Sequence, residues 1–234
     1  MRQFDVQEEL AVVSHYHEGQ SAQFRCYKDD FISSHLHKGE VWEPHMHRLF
    51  EKYISPEDVV LDIGANIGTH SVKMAKLAKN LLAFEPLRQS YTLLKENLRL
   101  NGCTNAIAYE YALSDSAYTT EYKLVEGTNI GGSTLLDDHL APTTESIDVI
   151  TLDSLSLNQV DFIKMDVEGY EAKVIIGAVE TIKRHKPSIV LECWDNYPNV
   201  SLQHTMEEHA LLLSLGYEIE QVSNCDWLFT PTKP

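Results

Sequence analysis

The segment VVLDIGANIGTHS, residues 59–71, constrains the fold of this chain more than any other feature. Val59–Ile63 is an apolar run without alternation, and such a run marks a strand buried on both faces, as in a mainly parallel sheet covered by helices. It stops at a glycine-rich turn, and an amphipathic stretch follows at once. The same succession continues downstream. A helix is expected from about Gly68 to Lys79, then strand Leu81–Phe84, then helix Leu87–Leu100 closed by Asn101-Gly102, then strand Ala106–Ala112. Strand Asp161–Met165, one helix from about Tyr170 to Lys183, strand Ser188–Glu192 and helix Leu202–Leu215 follow. Two strands close the chain, Tyr217–Val222 and Trp227–Thr230, with no helix between them, so an antiparallel edge strand is expected. The pattern predicts an α/β fold: a Rossmann-like, mainly parallel seven-stranded sheet with helices on both faces and an antiparallel edge strand.

Ahead of this alternation, residues 1–40 read as an irregular, polar N-terminal extension on or near the active face, and residues 41–234 as the domain proper. A short helix is expected from Val41 to Tyr53, where Trp42, Met46, Leu49 and Phe50 share one face and Pro56 ends the pattern. Residues 114–146 are rich in Ser, Thr, Gly and Asp and read as an excursion with a hairpin.

The glycine turn also bears on chemistry. Gly64 and Gly68 let the backbone bend sharply and approach a ligand closely. Asp62 ends the strand, Ala65 and Asn66 complete the turn, and Glu85 ends the next strand, where an acid is placed to accept both ribose hydroxyls of an adenosine. The spacing is G-x-x-x-G, whereas a pyrophosphate binder carries G-x-G-x-x-G. A donor with an amino-acid end in place of a pyrophosphate suits it better: S-adenosylmethionine (SAM), its ammonium held near Asp62 and Gly64. Ser114 and Asp115, after the third strand, stand where the adenine amino group is met.

The chain resembles the FkbM methyltransferase family. The matching segments are DIGANIG (62–68), AFEP (83–86), ENLRLNG (96–102), ALSD (112–115), TLDSL (151–155), IKMDVEGYE (163–171) and KPSIVLE (186–192), in the family's order, with WEP (42–44) as lead-in. The resemblance implies a class I methyltransferase fold and SAM-dependent O-methylation of hydroxyls on natural products and glycans. It assigns cofactor contacts to Asp62, Gly64, Asn66, Gly68, Glu85 and Asp115, and a softer one to Glu43.

Methyl transfer asks for alignment of the acceptor behind the methyl and for a group that takes the hydroxyl proton. Lys164, Asp166 and Glu168 alternate along I-K-M-D-V-E-G and project to one side if the strand persists to Glu168; Glu192 ends a neighbouring strand. Carboxylates near a lysine suit a tuned base or part of a divalent-metal site, and both readings stay open. Three H-x-H pairs, His15/His17, His35/His37 and His45/His47, read as solvated or hydrogen-bonded histidines before metal ligands, and a histidine near Glu43 remains a candidate base. Gly127–Leu136 reads as a mobile acceptor loop or an ordinary hairpin connection, and Trp194 and Tyr197 as sugar-stacking or core residues.

Composition narrows the partners. Of 234 residues 43% are hydrophobic and 23% charged, as in a globular protein, and the formal net charge of −16 disfavours nucleic acid and anionic membranes. The first residues lack the basic and apolar regions of a signal peptide, no run approaches the roughly 18–20 apolar residues of a membrane span, and Cys26, Cys103, Cys193 and Cys225 are scattered as reduced thiols would be. A cytoplasmic enzyme acting on a small molecule or glycan is the expectation. The rivals are a nicotinamide-linked oxidoreductase, for which Glu85 would serve equally, and a SAM-binding subunit without catalysis.

Overall fold

The computed structural model describes residues 10–17, 20–27, 31–123, 144–193 and 202–232. Strands β3 (Val59–Ile63), β4 (Asn80–Phe84), β5 (Ala106–Tyr109), β9 (Phe162–Met165), β10 (Ser188–Glu192), β11 (Tyr217–Gln221) and β12 (Asp226–Pro231) form one seven-stranded sheet in the order β11-β12-β10-β9-β3-β4-β5. Strands β10, β9, β3, β4 and β5 pair in parallel, so their carboxyl ends share one edge. The antiparallel strand expected at the edge is β12, one place in from it, between β10 and β11.

Successive side chains of each strand enter opposite cores. Val60, Leu81, Ala83, Phe162, Val190 and Leu228 pack in one, with residues of helices α2 (Pro44–Tyr53), α3 (Thr69–Leu77) and α4 (Arg88–Leu100). Leu61, Ile63, Phe84, Ile163, Met165, Ile189, Leu191 and Phe229 pack in the other, with residues of α5 (Glu171–Ile176), α6 (Val179–His185) and α7 (Leu202–Ser214). Burial on both faces is why these strands show no polar alternation.

Three expectations are corrected. First, the described part of residues 1–40 is not irregular: β1 (Leu10–His17) and β2 (Gln20–Tyr27) pair as an antiparallel hairpin, and α1 (Phe31–His37) follows. Asn97 on α4 and Asn101 at its C-cap, one turn apart, bond the outer edge of β2 as a further strand would. Asn97 accepts from the Arg25 amide at 2.6 Å and donates to its carbonyl at 3.1 Å, and Asn101 does the same at Gln23 at 3.0 and 2.7 Å. An edge so covered is closed to other chains.

Second, the strand expected over Ala106–Ala112 divides. Ile107 on β5 is exposed while Ala112 and Leu113 are both buried, a pattern one continuous edge strand does not produce. Ala112–Leu113 is β6, which joins β7 (Tyr118–Lys123) and β8 (Thr144–Ile150) in a three-stranded sheet. Third, the helix expected from Tyr170 to Lys183 is two helices, broken at Gly177-Ala178. A Cβ on Gly177 would lie 2.0 Å from the Ser114 carbonyl oxygen. Asp153 then caps the second helix, accepting from the amides of Glu180 (3.1 Å) and Thr181 (2.8 Å) and from the Thr181 hydroxyl (2.7 Å).

Candidate active site

The turn after β3 is built on left-handed backbone at Gly64 (φ 78°), Asn66 (φ 49°) and Gly68 (φ 89°). The glycines meet the protein itself at the place expected for a ligand. A Cβ on Gly64 would sit 1.8 Å from the Asp166 carbonyl oxygen, and one on Gly68 2.7 Å from Leu94 Cδ1. The turn is therefore clamped against the chain beyond β9 and against α4. Asn97 Nδ2 adds a hydrogen bond to the Ile67 carbonyl at 2.7 Å, so the same asparagine ties the turn to β2.

Glu85 fastens the other side. Its two carboxyl oxygens accept from the amides of Asn66 and Leu87, both at 2.9 Å, which ties β4 to the turn and to the start of α4. Burial pushes this carboxyl up to about 7, although the two amides and Lys164 act in the opposite sense. Each oxygen has accepted one bond and retains capacity for another.

Strand register assembles a polar row along the carboxyl edge. Asp62 on β3 lies beside Lys164 on β9, and Glu192 on β10 lies opposite Asp226 on β12. Lys164 is buried, and its Nζ reaches the Gly64 carbonyl at 3.1 Å, Asp166 Oδ2 at 3.3 Å and Asp62 Oδ1 at 3.6 Å. Burial works against its charge but is overridden by Asp166, Asp62, Glu192 and Glu43, so the ammonium is held above its usual range. Asp62 is fully buried; Oδ2 accepts from the Ser71 hydroxyl, and Oδ1 has no hydrogen-bond partner. Glu192 goes the other way. Burial first, then Asp166, Glu43 and Asp226 push its carboxyl up to about 10, so it carries its proton at neutral pH.

Glu43 joins the row from the segment before α2, in left-handed backbone (φ 45°). His70, buried on α3, bonds it through Nε2 at 2.8 Å. Burial raises the Glu43 carboxyl, but the bond to His70 and the charges of His70, Lys164 and His45 outweigh it, and the net shift is downward. Two residues on, His45 Nε2 bonds Asp226 Oδ2 at 2.7 Å, and that carboxylate also accepts from the Ser223 hydroxyl at 2.6 Å.

Of the residues singled out in the sequence, Glu43, Asp62, Lys164, Asp166 and Glu192 are brought into this row, and Gly64, Ala65, Asn66, Gly68 and Glu85 into the turn beside it. Glu168 departs from the expected alternation: β9 ends at Met165, and Glu168 (φ 54°) and Gly169 (φ 95°) turn in left-handed backbone. The buried acid of that segment is Glu171, which accepts from the amides of Val167 (3.1 Å) and Gly169 (3.3 Å) and is pushed up to about 8, chiefly by burial. Ser114 is buried after β6, its hydroxyl 3.2 Å from exposed Asp115. The H-x-H pairs do not act as pairs on helices, where residues two apart diverge. His45 meets Asp226, while His47 lies against Phe50 and His70. Among the described residues no group of three or more His, Cys, Asp or Glu side chains is arranged to hold a metal ion, which removes support for the metal option. No helix of the described residues is long and apolar enough to cross a membrane. Gly127–Leu136, Trp194 and Tyr197 lie outside the described residues.

Sequence reading missed His70, Ser71, Ser223 and Asp226. The available signal for Asp226 was topological: an antiparallel strand brings its first residue to the edge where its parallel neighbours bring their last.

Residues 62–219 match the model of the FkbM methyltransferase domain. The chain is 27% identical over 171 residues to methyltransferase sdnD of Sordaria araneosa, covering 58% of this chain and 66% of that one. It is 29% identical over 143 residues to hexuronic acid methyltransferase AglP of Haloferax volcanii, covering 58% and 56%. The chain thus spans less than two thirds of either relative. The crystal structure of the methyltransferase FkbM from Methylobacillus flagellatus KT superposes with a TM-score of 0.56 at 19% identity, over 75% of this chain and 44% of that one. The family match decides for the methyltransferase reading of the glycine turn over the nicotinamide one.

Proposed function

The chain belongs to the FkbM methyltransferase family, and we propose that it transfers the methyl group of SAM to a hydroxyl oxygen, on a sugar of a glycan or glycosylated metabolite. The observation that carries this reading is the makeup of the row: Asp166, Asp62 and Glu43 act on the ammonium of Lys164, with the protonated carboxyl of Glu192 and with Asp226 beside them. Such an excess of carboxyls suits a donor with positive charge at its amino-acid end and sulfur, and an acceptor that is neutral and hydrogen-bonding.

The residues fit this donor. Asp62 Oδ1 is a buried acceptor without a hydrogen bond, and Glu85 retains acceptor capacity at the end of β4. In this reading Glu85 takes the ribose hydroxyls, Asp62, Gly64, Ala65, Asn66 and Gly68 border the amino-acid end with Glu43, and Ser114 and Asp115 meet the adenine. The donor, when bound, supplies an electrophilic methyl on a sulfonium. Protein groups then orient the acceptor. Protonated Glu192 donates a hydrogen bond, and Asp166, fixed by Lys164, accepts one; Glu168 borders the same crevice from the turn that follows. Alignment of this kind is worth roughly 7–11 kcal/mol of the barrier.

Trp42 adds an apolar element beside Glu43. Its ring meets His35 and Phe31 edge-on, at 5.2 and 5.7 Å between centroids, and Phe31 is exposed. Exposed aromatic rings of this kind pack against the apolar faces of sugars. The similarity to a hexuronic acid methyltransferase supports the same substrate class. A uronic acid offers hydroxyls and a carboxylate, and the acidic row favours the hydroxyls, because a second anion would be repelled.

The test uses SAM labelled in the methyl group with methyl glucoside, methyl glucuronoside and free hydroxylated small molecules. Label is expected in an alkali-stable ether. Recovery only as an alkali-labile ester or as an amine would refute O-methylation, and SAM binding without transfer to any acceptor would favour a non-catalytic subunit.

A further inference from the structure

Asp226 reaches the carboxyl edge because β12 runs against its neighbours, and its side chain is buried there opposite Glu192. Ser223 locks it in place. The Ser223 hydroxyl donates to Asp226 Oδ2 at 2.6 Å and accepts from the amides of Cys225 (3.2 Å) and Asp226 (3.1 Å). The same Oδ2 lies 2.7 Å from His45 Nε2. An ionised carboxylate only accepts, so the shared proton belongs to Nε2, and in the neutral ring Nδ1 keeps its lone pair. The His45 side chain is 32% exposed on the first turn of α2, two residues from Glu43. A histidine with one nitrogen oriented by a buried acid and the other left as an acceptor is the arrangement a proton acceptor requires.

The other titratable groups of the row are poorly suited to that task. Asp166 is ion-paired to Lys164 at 3.3 Å, and Glu43 is bonded to His70. Glu192 already holds a proton at neutral pH. The charged groups that face His45 are Asp226 on β12 and Glu43 ahead of α2.

We propose that His45 is the general base of methyl transfer and that Asp226 is its positioning residue, an assignment that rests on the methyltransferase reading above. As the acceptor oxygen bonds to the methyl carbon, its O–H proton passes to His45 Nδ1. The carbon–sulfur bond breaks with its electron pair remaining on sulfur, so a sulfonium, a hydroxyl and a neutral imidazole become a thioether, an ether and an imidazolium. The imidazolium is held by Asp226 through Nε2–H.

The test compares wild type, His45→Ala and Asp226→Asn with methyl glucoside as acceptor, alongside calorimetric binding of S-adenosylhomocysteine. His45→Ala is expected to lower kcat by roughly 10²–10⁴-fold with KM little changed, and to remove the rise of rate with pH. Added imidazole should restore part of the rate, because the vacated position is open to solvent. Asp226→Asn should lower kcat while leaving that pH-dependent rise in place. Independently of activity, ¹⁵N spectra of the wild-type ring should show the Nε2–H tautomer, and Asp226→Asn should shift the population towards Nδ1–H. Failure of the wild type to bind S-adenosylhomocysteine would overturn the methyltransferase reading itself. Normal binding with turnover retained in His45→Ala, loss without imidazole rescue, or an Nδ1–H tautomer in the wild type would overturn the assignment of His45 alone.

Discussion

Replacing Glu85 by Gln tests the turn at its most loaded point. The carboxyl is buried, 6% exposed, and satisfies two backbone amides at 2.9 Å, those of Asn66 and Leu87. Gln offers one carbonyl oxygen to this pair and sets its NH₂ against the other amide, leaving a buried donor unsatisfied at a cost of about 1–3 kcal/mol. The opposing effect depends on pH. The carboxyl moves from 4.5 to about 7 on folding, so the native state binds the proton more tightly than the unfolded chain. The stability it contributes is fully present below about 4.5 and is lost as pH rises through about 7. The shift corresponds to about 3 kcal/mol between those limits. Wild type therefore gains about 2–3 kcal/mol through this group between pH 8 and pH 5, and Glu85→Gln gains none of it. Urea unfolding of both proteins at pH 5, 6, 7 and 8 isolates the group, because Glu171 and Glu192 titrate in both and largely cancel in the difference. The variant is expected to be close to wild type at pH 8 and clearly less stable at pH 5. A stability difference independent of pH would refute the reasoning. Ligand binding gives a second check, since a carboxyl protonated below about 7 has less acceptor capacity for ribose hydroxyls. Affinity for S-adenosylhomocysteine should fall with pH in wild type and much less in Glu85→Gln.

Lys164→Met is expected to cost about 3–5 kcal/mol in urea unfolding, because it removes the ammonium that buried Asp62 shares with half-buried Asp166; a loss under 1 kcal/mol would mean that water already serves these carboxylates. Asn97→Ala removes three buried or half-buried hydrogen bonds, to Arg25 twice and to Ile67, and should cost about 2–4 kcal/mol. Its signature is faster amide exchange in both β2 and the Gly64–Gly68 turn, and exchange confined to β2 would show that the turn does not depend on the asparagine.

Most of the sheet was legible because burial on both faces leaves a sequence signature. Val59–Ile63 and Ser188–Glu192 are continuous apolar runs, and their boundaries agree with the strands found. The N-terminal hairpin was less legible. Its second strand does alternate, with Phe24 and Cys26 buried, but its outer edge is closed by Asn97 and Asn101, more than seventy positions away. The helix break at Gly177 likewise depends on the remote Ser114 carbonyl, and a lone glycine inside a helical pattern gives no hint of it. At the site, Glu43, Glu85, Lys164, Asp166 and Glu192 were legible because each stands near an element end. Glu168 was misplaced because alternation was extended past a strand that stops at Met165. His45 and Asp226 are 181 positions apart, and neither segment alone marks them as partners.

Charge in the row is governed by who stands beside whom, and this bears on turnover. Lys164 is tolerated in the interior because Asp62 and Asp166 flank it. Glu43 has His70, and Asp226 has His45 and Ser223. Glu192 differs: after burial itself, the charges of Asp166, Glu43 and Asp226 suppress its ionisation. Under the proposed function, a cationic donor entering the crevice meets these carboxyls while Glu192 keeps the proton it donates to the acceptor. Donor and product differ in this respect, because the sulfonium is charged and the thioether is not. In the reading proposed here, the row attracts the substrate form more strongly than the spent one. The carboxyls that favour binding of the sulfonium also favour its exchange for the product after each transfer.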